Sequence, residues 1–492
     1  MDYLDPKKQL RHNITLFVGY VCIAIAIAIA TIILLYQAYG FGLGKNGTVI
    51  QNGLTFFSSH PQPAKIYVNN QLKPVVTNTR LVLPAGIYDI KLARDGYRDW
   101  QRKIELDGGS VEHFDYPFLI PKDLTSKKIA GFEAAPGIMS QSPDHRWLVL
   151  QKSGTLTDFE VYDLKNPTKA PIDIAMPSTV LTKAAANESM EAVEWAGDNE
   201  HLLLQHNYDG KLEFVMLDRT SPEQSININA SLSISPTKLT LNDKKFDRYY
   251  LYDSTAQTLT TATSEEVSST PLLQNVLAYQ SYGDDTVLYI TNADAPSGKV
   301  LVKLRIGDKI STLRSFPVSA SYLLDLTKYS GVMYVAVGSG DGSKVYIYKD
   351  PAGQLAERPK QAVSPVQVLH VPQPNYLSFS ASAQFIVAQN GSHFGVYDIE
   401  NDKGYSYVLP EALDAPQTHA TWMDGNRLTF VSGGKQNIID YDNSNRQALV
   451  SAGSQYLPAF APNYKNVFTL APSATAGQFD LNQTSLLTPA DR

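Results

Sequence analysis

Residues 142–163 read SPDHRWLVLQKSGTLTDFEVYD, and this pattern decides the fold of most of the chain. It consists of a Ser-Pro-Asp turn, the hydrophobic run 147–150, a polar turn, and a second run that ends at Asp163. Short runs rich in β-branched and aromatic residues, bounded by turn residues, are typical of β-strands. The stretch therefore predicts two consecutive strands, the first of them buried.

The same arrangement returns roughly every 40 to 50 residues along the chain. In most units the first turn precedes a hydrophobic strand, a polar turn and a further strand that often ends in an acid. A four-stranded unit of this length cannot bury both faces alone, so neighbouring units must stack, and stacking closes a ring of blades. The first turns lie at 142–144, 195–198, 235–236, 282–284, 329–331, 380–382, 422–425 and 461–463.

This repeat predicts an all-β chain with a β-propeller over residues 128–487. Eight first turns predict eight blades. The third unit, Ser235 to Thr263, is short and shows no obvious second strand before Tyr249, so seven blades remain the alternative.

The ring also needs a joint between its first and last strands. The run 128–132 is placed to complete the last blade beside 477–481, which removes an open sheet edge. On this hypothesis we expect that removing residues 484–492 leaves folding intact, whereas a cut back through Gly477 destabilises the ring. Residues 488–492 are then a C-terminal tail.

The propeller region resembles known families in two of its motifs. The Ser-Pro-Asp turn at 142–144 and the Val-Tyr-Asp-Leu ending at 161–164 resemble TolB-like and WD40-like propellers from residue 129 to residue 487. Because the Gly-His and Trp-Asp pairs of WD40 repeats are absent, the TolB-like description fits better. The resemblance implies an architecture without a particular function.

An uncharged run from Ile14 to Tyr36 stands near the N-terminus, and three basic residues between positions 7 and 11 precede it. At ~1.5 Å per residue this run spans about 34 Å, enough to cross a hydrocarbon core roughly 30 Å thick. No charge follows until Lys45. The positive-inside rule therefore predicts residues 1–13 in the cytoplasm, a transmembrane signal anchor at 14–36, and the bulk of the chain outside the cell membrane.

A cleaved signal peptide is the alternative, because alanines at 24, 26, 28 and 30 form small-x-small patterns. These alanines lie in the middle of the run, and the apolar residues 32–35 follow them, so we interpret the segment as an uncleaved anchor. Lipoprotein processing at Cys22 is a weaker interpretation, since residues 19–21 make a poor lipobox. We expect Cys22 to face lipid.

Composition excludes several classes of protein. With Cys22 as its one cysteine, the chain has no disulfide and no thiolate metal site. The formal net charge of -6 is spread out, and no basic run follows the anchor, which argues against nucleic acid as a partner.

Residues 53–121 predict a compact antiparallel β-sandwich. Glycines at 40, 42, 44 and 47 precede it and predict a flexible spacer at 37–52. Short alternating runs at 65–68, 88–92 and 102–106 predict strands. Turn residues bound them at 84–86, 95–96 and 107–109.

The order of motifs in this region resembles the PEGA domain, a small β-domain of envelope proteins, over residues 53–119. The motifs are SHPQPA at 59–64, LPAGIY at 83–88, and Gly96-Tyr97. In the family the first motif reads Pro-Glu-Gly-Ala, so Pro63 stands where Gly is expected. The resemblance implies a spacer or adhesive module without catalysis, and Tyr97 is most simply a packing residue.

A search for chemistry predicts no catalytic, cofactor-binding or metal-binding residues. There is no Gly-x-Ser-x-Gly turn, no His-x-His or His-Glu-x-x-His pattern, and no phosphate-binding loop between a strand and a helix. We interpret the glycine-rich stretch 338–342 as a hairpin and the acidic stretch 440–445 as a solvated turn. Residues 142–147 match a sialidase-type turn only in part.

The predicted function is a membrane-anchored extracytoplasmic binding or scaffold protein. The expected partners are the lipid bilayer, through the helix, and an unidentified envelope or surface protein or polysaccharide; no cofactor and no binding residues are predicted. Tyr, Asn, Gln and Trp in the blade turns suit such contacts, although any single tyrosine more simply fills space between blades. The alternative is a propeller-type glycoside hydrolase or lyase acting on envelope polysaccharide, which requires a carboxylate cluster at the ring's centre.

Overall fold

The computed structural model describes residues 6–38, 40–43, 49–185, 187–357 and 362–491. The described chain is mostly β-structure. It divides into a small unit, Met1–Asp123 with Leu487–Arg492, and a large unit, Leu124–Leu486.

Helix α1 (Pro6–Ala38) is exposed along the side chains that the structure describes. Over Lys7–Tyr36 it is the one described helix long and apolar enough to span a membrane. Its two threonine hydroxyls donate to backbone carbonyls one turn earlier: Thr15 Oγ1 to Arg11 and Thr31 Oγ1 to Ile27, each at 2.8 Å. The helix begins before the expected boundary at residue 14, and residues 1–5 lie outside the described residues.

The small unit contains two four-stranded sheets that share one core. In one sheet β1, β2 and β5 are antiparallel and β8 joins β2; the other has the order β4-β3-β6-β7. Trp100 and Ile66, both at most 1% exposed, belong to the common core. The strands are β1 (Phe41–Leu43), β2 (Val49–Phe57), β3 (Lys65–Val68), β4 (Gln71–Val76), β5 (Thr79–Pro84), β6 (Gly86–Ala93), β7 (Trp100–Leu106) and β8 (Val111–Phe114).

The sandwich departs from expectation at two places. Part of the expected spacer 37–52 is a strand, because β1 pairs with residues 49–51 of β2; residues 39 and 44–48 of that spacer lie outside the described residues. The sheet is also not wholly antiparallel, since β8 runs parallel to β2. Gly53 permits the crossing of β2 over the end of β7, because a Cβ at this position would lie 2.6 Å from Leu106 Cγ.

The expected tail at 488–492 is part of the small unit. The Tyr97 hydroxyl accepts a hydrogen bond from Thr488 N at 2.9 Å and donates one to Asp491 Oδ2 at 2.8 Å. The Asp491 carboxylate also pairs with Arg94. Polar groups of the small unit therefore hold residues 488–491, while residue 492 lies outside the described residues.

The large unit is a propeller of eight blades, in each of which consecutive strands are antiparallel neighbours. Blades 1–4 contain β10 (Met139–Gln141), β11 (Trp147–Gln151), β12 (Asp158–Asp163), β13 (Ile172–Ala175); β14 (Ser189–Trp195), β15 (His201–Tyr208), β16 (Lys211–Asp218), β17 (Ile226–Asn227); β18 (Lys238–Leu241), β19 (Arg248–Asp253), β20 (Thr258–Thr263); and β21 (Val276–Tyr282), β22 (Thr286–Thr291), β23 (Lys299–Ile306), β24 (Lys309–Pro317).

Blades 5–8 complete the ring, and the eighth takes its outermost strand, β9 (Ser126–Phe132), from the start of the unit. Two short helices, α2 (Ile228–Leu232) and α3 (Pro351–Glu357), lie in connections. The remaining strands are β25 (Tyr322–Tyr329), β26 (Val332–Ser339), β27 (Lys344–Lys349), β28 (Gln367–His370); β29 (Tyr376–Phe379), β30 (Phe385–Asn390), β31 (His393–Asp398), β32 (Lys403–Val408); β33 (Thr421–Trp422), β34 (Arg427–Ser432), β35 (Lys435–Asp440), β36 (Gln447–Ser451); and β37 (Ala459–Phe460), β38 (Asn466–Pro472), β39 (Phe479–Ser485).

Buried apolar clusters join neighbouring blades from blade 1 to blade 6 and between blades 8 and 1, so each of these blades covers the face of its neighbour. Side chains on the innermost strands add hydrogen bonds across blade boundaries. Trp195 Nε1 donates to Ser140 Oγ at 2.9 Å between blades 2 and 1, and Trp422 Nε1 donates to the Ser378 carbonyl at 3.2 Å between blades 7 and 6. These contacts explain why the ring is stable as a whole although each blade is thin.

The predicted joint is confirmed. Strand β9 pairs with β39 in the register Phe132 with Phe479 and Ala130 with Leu481. Residue 484 belongs to this joint, because Thr484 is fully buried and its hydroxyl bonds to Ser126 Oγ at 2.8 Å; the effect of removing residues 484–492 stays a prediction.

The third blade is the irregular one. Strand β18 (Lys238–Leu241) supplies the strand that the sequence did not reveal before Tyr249. The outer edge is formed only by isolated bridges of Leu259 with Leu273 and Ala262 with Val267. The unit is nevertheless a blade of the ring, so eight is the correct count and the seven-bladed alternative is wrong.

Candidate functional site

The alternation of strand direction gives the ring two faces. The turns between the first and second strands, which include seven of the eight turns recognised in the sequence, emerge on one face; the eighth, 235–236, precedes β18 and belongs to the connection into blade 3. The turns between the second and third strands, and the connections into the next blade, emerge on the other. We describe a cleft on this second face because two of its lining residues, Thr182 and Glu188, contact a buried pair of polar side chains, Glu213 and His206.

The cleft lies between blades 1 and 2 and has a volume of about 1100 Å³. The turn 151–157 forms one wall, and the connection that leads into β14 forms the other. Hydroxyl groups dominate the lining, and no aromatic ring belongs to it among the described residues. The hydroxyl-bearing residues are Ser153, Thr155, Thr157, Ser178, Thr182 and Ser189.

A histidine and a glutamate are buried together beneath this cleft. His206 on β15 and Glu213 on β16 are directly opposite in the antiparallel register, and their side chains are 0% and 3% exposed. His206 Nδ1 lies 2.8 Å from Glu213 Oε1. The pair is thus removed from water and aligned by the strand pairing alone.

Three further donors satisfy the Glu213 carboxylate. The backbone N–H of Thr182 and the amide of Asn227 each donate at 2.8 Å, and the Thr182 hydroxyl donates at 2.5 Å. Burial alone raises the pKa of Glu213, but the hydrogen bonds from Thr182, His206 and Asn227 outweigh it, and the pKa is lowered from its ordinary value. Glu213 is therefore ionised at neutral pH, and Thr182 links it to the cleft wall.

The other ring nitrogen of His206 has no hydrogen-bond partner in the described part of the chain. Nε2 lies 3.5 Å from Oε1 of Glu188, a residue of the cleft wall. The imidazole of His206 therefore has a carboxylate oxygen near each of its two ring nitrogens.

The surroundings of the cleft are acidic. Lys152 and Lys183 oppose Glu188 and Glu191 in the lining. Lys152 is already committed to an ion pair with Asp173 at 2.6 Å. The hydrogen bond to Asp173 makes the largest contribution to the raised pKa of Lys152. The nearby carboxylates of Glu160 and Asp158 raise this pKa further.

The innermost strands carry carboxylates that are already bonded within the ring. Asp325 on β25 accepts hydrogen bonds from Leu326 N at 2.9 Å and Phe379 N at 2.8 Å, and burial raises its pKa to about 6. Glu194 on β14 accepts one from Leu241 N at 2.5 Å and pairs with Lys244. Among the described residues, no group of three or more His, Cys, Asp and Glu side chains is arranged to hold a metal ion.

The two stretches that the sequence singled out as turns are turns. Residues 338–342 join β26 to β27, with a hydrogen bond from Gly342 N to the Ser339 carbonyl at 3.0 Å, so the hairpin prediction is confirmed. In the stretch 440–445, Ser444 Oγ donates to Asp442 at 2.6 Å and Asn445 donates to Asp440 at 2.9 Å. The carboxylates of this turn therefore accept hydrogen bonds from side chains of the same turn.

The partial sialidase-type turn at 142–147 contributes a tryptophan and an arginine to a cation–π stack. Two guanidinium groups lie over the Trp147 ring, those of Arg146 at 4.5 Å and Arg219 at 4.1 Å from its ring centre. Arg146 also bonds to Asp163, at 3.1 Å through its Nη2. These arginines pack on a tryptophan where blades 1 and 2 meet, instead of surrounding a central carboxylate.

The sequence analysis named no residue of the cleft, but one signal was available for the buried pair. Asp209-Gly210 is a two-residue hairpin turn, and counting outward from it pairs Tyr208 with Lys211 and then His206 with Glu213. Glu188 and Thr182 come from the connection between blades and carry no such signal. Only the folded ring brings them to the pair.

Comparison with known proteins identifies the small unit. Residues 54–119 match the PEGA domain, which bears out the resemblance seen in the sequence. No curated protein sequence matches the chain.

Among solved structures, the chain is similar to propellers at low identity. The propeller of Dos1 is 13% identical, with a TM-score of 0.47, over 73% of this chain and 95% of that one. Oligogalacturonate lyase from Vibrio parahaemolyticus is 9% identical, with a TM-score of 0.38, over 73% and 100%. Hsv2 of Kluyveromyces lactis is 10% identical, with a TM-score of 0.36, over 72% and 99%. The chain combines the matched PEGA domain with the eight-bladed β-propeller that its own sheet topology defines.

Proposed function

We propose that this chain is a membrane-anchored extracytoplasmic binding protein, in which α1 spans the bilayer and the propeller recognises a protein or an envelope polysaccharide. The observation that carries the proposal is the exposed surface of α1. Between Ile14 and Tyr36 its side chains are uncharged and exposed on every side of the helix. In water such a surface costs about 25 cal/mol for each Å² of apolar area, a cost that a bilayer removes.

The orientation follows from the charge at the two ends of α1. Lys7, Lys8 and Arg11 lie at its first turns, and no charged residue follows before Lys45. Lys and Arg are retained on the cytoplasmic side, so the PEGA domain and the ring are placed outside.

Binding is preferred to catalysis because of what the cleft offers. Its lining presents hydroxyls, carboxylates and ammonium groups that suit recognition of a polar polymer. The histidine beside the cleft, His206, is fully buried and lies 3.5 Å from Glu188. A base must come within hydrogen-bond reach of the proton that it removes, and a substrate in this cleft meets Glu188 first.

The orientation is tested by labelling single cysteines. Because Cys22 is the one natural cysteine, a Cys22→Ser parent gives a background without thiols. Glu265→Cys, on an exposed turn of blade 3, is expected to react with a membrane-impermeant maleimide in spheroplasts, whereas Lys8→Cys is expected to react only after lysis. Labelling of position 8 but not of position 265 in intact spheroplasts contradicts the proposal, and the parent controls for background.

The membrane anchor is tested by placing charged residues within α1. Two arginines at Ile25 and Ile27 cost roughly 5–7 kcal/mol on the insertion scale and are expected to move the protein from the membrane fraction into the soluble or aggregated fraction. Leu10→Arg, near the end of the helix, is the matched control and is expected to leave the protein in the membrane.

A further inference from the structure

We propose that the outer face of the sheet built from β2, β5 and β8 docks on the surface of the bilayer that α1 crosses, with a preference for anionic headgroups. This inference rests on the membrane anchor of the proposed function and goes beyond it, because it gives the PEGA domain a surface and a ligand of its own. We call this surface the β2-face. It carries the side chains of Asn52, Leu54, Phe56, Arg80, Val82, Pro84, Val111 and His113.

The strand register gathers apolar side chains into a row on the β2-face. Residues directly opposite each other in neighbouring strands share a face of the sheet. Leu54 is opposite Val82 on β5 and Val111 on β8, so these three side chains cross the sheet side by side. Because successive residues of a strand alternate, Thr55 and Phe57 point into the core, where they are at most 1% exposed.

This row is open to solvent in the chain by itself. Val82 is 63% exposed and Val111 is 55% exposed, while Leu54 between them is half-buried. Scattered apolar side chains on a surface are ordinary, but adjacent ones mark a site of interaction. The β2-face therefore has the apolar surface that a docking site needs.

The charge of the β2-face favours a lipid headgroup as the ligand. The row next to the apolar one consists of Arg80, Phe56 and His113, and the rings of Phe56 and His113 are stacked at 4.7 Å. None of the eight side chains of the face is acidic. An exposed guanidinium beside apolar and aromatic groups suits the boundary between acyl chains and phosphates, since it binds phosphate oxygens while its neighbours contact the chains.

The connection to α1 keeps the β2-face close to the bilayer. Helix α1 ends at Ala38, and the carbonyl of Gly40 accepts a hydrogen bond from Asn52 N at 2.7 Å. Two residues further along β2, Leu54 N donates to the carbonyl of Ser110 at 2.9 Å. Two residues of a strand span about 7 Å, so the apolar row begins roughly 7 Å beyond the residue that is bonded to the start of the domain.

A tether of this length selects the bilayer as the occupant of the face. The headgroup region adds about 5–7 Å to each side of the hydrocarbon core, a depth similar to the distance between Asn52 and the apolar row. The rings of Tyr36 and Phe41, 5.1 Å apart, also connect the end of α1 to β1. Because a short link gives an effective concentration on the order of millimolar, a face too weak to bind lipid from solution still rests on it when tethered.

The experiment measures the distance of the β2-face from lipid in the full chain. The Cys22→Ser chain is placed, one copy per disc, in nanodiscs of phosphatidylcholine and phosphatidylglycerol in which some lipids carry a nitroxide on the headgroup. A fluorophore is attached at Val82→Cys or, as the matched control, at Asp89→Cys, an exposed position on the other sheet. We expect the nitroxide to quench the label at position 82 about twice as strongly as the label at position 89.

A charge placed in the apolar row tests the contact itself. Val111→Glu, in the chain labelled at position 82, is expected to lower the quenching about twofold, because a carboxylate opposes burial against anionic lipid. The matched control is Ile87→Glu, which is 59% exposed on the other sheet and is expected to leave the quenching unchanged. All of these positions are exposed, so the substitutions do not disturb the core.

Equal quenching at positions 82 and 89 overturns the proposal, as does an unchanged signal in Val111→Glu. Equal quenching in discs of phosphatidylcholine alone overturns the preference for anionic headgroups. Shielding of position 82 from aqueous iodide only in discs that hold two copies assigns the face to a second copy of the chain and also overturns docking on lipid. Failure of the anchor is read separately, because the native chain then appears in the soluble fraction before any nanodisc is formed.

Discussion

The phenol of Tyr97 donates a 2.8 Å hydrogen bond to the carboxylate of Asp491, a residue 394 positions later in the chain. The same oxygen accepts from Thr488 N at 2.9 Å. Tyr97 is fully buried, so both bonds lie where water does not compete well. The chain therefore leaves the small unit at Asp123, builds the ring, and returns to bond with the Gly-Tyr motif of the PEGA domain.

Tyr97→Phe removes both of these bonds while keeping the ring of the side chain. We expect it to cost about 1–2 kcal/mol locally, because Thr488 N loses its acceptor and Asp491 keeps only its remaining donors. Hydrogen exchange measured by mass spectrometry is expected to show loss of protection in residues 486–491. Asp95→Asn is the control, since the Asp95 side chain is 95% exposed; an equal effect of the two substitutions contradicts the role of the hydroxyl.

Two truncations test the closure of the ring. A chain that ends at Leu487 keeps all of β39, and we expect its ring to melt within a few degrees of the full chain. A chain that ends at Gln478 loses β39, leaves β9 unpaired, and exposes the core around Leu470. We expect this second chain to aggregate or to lose its cooperative transition in thermal circular dichroism. Similar melting of the two chains is the result that rules out closure by this strand.

Asp325 predicts a pH dependence of stability. Burial raises its pKa from 3.8 to about 6, so between these values the folded state keeps a proton that the unfolded state releases. The contribution of Asp325 to the free energy of unfolding therefore falls as pH rises from about 4 to 6, by up to about 3 kcal/mol. Asp325→Asn does not titrate, and we expect its melting temperature relative to the native chain to rise across this window.

The control for this measurement is Asp308→Asn, because the Asp308 side chain is fully exposed. Its melting temperature is expected to follow that of the native chain at every pH. A constant offset of Asp325→Asn from pH 4 to 7 shows that the carboxyl is ionised throughout, contrary to expectation.

The edge of blade 3 is predicted to exchange its amide hydrogens faster than the edges of complete blades. Residues 264–275 contribute few amides to ladder bonds, among them those of Ser268 and Leu273, whereas β24 of the next blade pairs along its whole length. We expect at least 10-fold faster exchange in 264–275 than in β24. Equal protection indicates a fourth strand in solution.

Much of the fold was predictable because its signals are local. A turn such as Ser142-Pro143-Asp144 bonds within itself: Ser142 Oγ donates to Asp144 at 2.5 Å and accepts from Trp147 N at 2.9 Å. Such turns specify where strands begin, and their repetition specifies the ring. The parallel pairing of β8 with β2 was not predictable, because it depends on which sheet the chain enters after residue 110 and not on any local pattern.

The candidate site was predictable only in part. The hairpin at Asp209-Gly210 determines that His206 faces Glu213, since register follows from a two-residue turn. Nothing in the sequence near Glu188 or Thr182 indicates that either residue reaches this pair. Their positions depend on how the connection between blades crosses the top of β15 and β16.

The amino-acid sequence by itself determined an uncharged helix, a PEGA-like sandwich and a repeating four-stranded unit, because each depends on side chains a few positions apart. The tertiary structure alone decided that the third unit counts as a blade, that the last residues bond to Tyr97, and that Nε2 of His206 lies 3.5 Å from the Glu188 carboxylate. Those outcomes depend on pairs far apart in the chain, whose proximity exists only after the blades have stacked and the ring has closed.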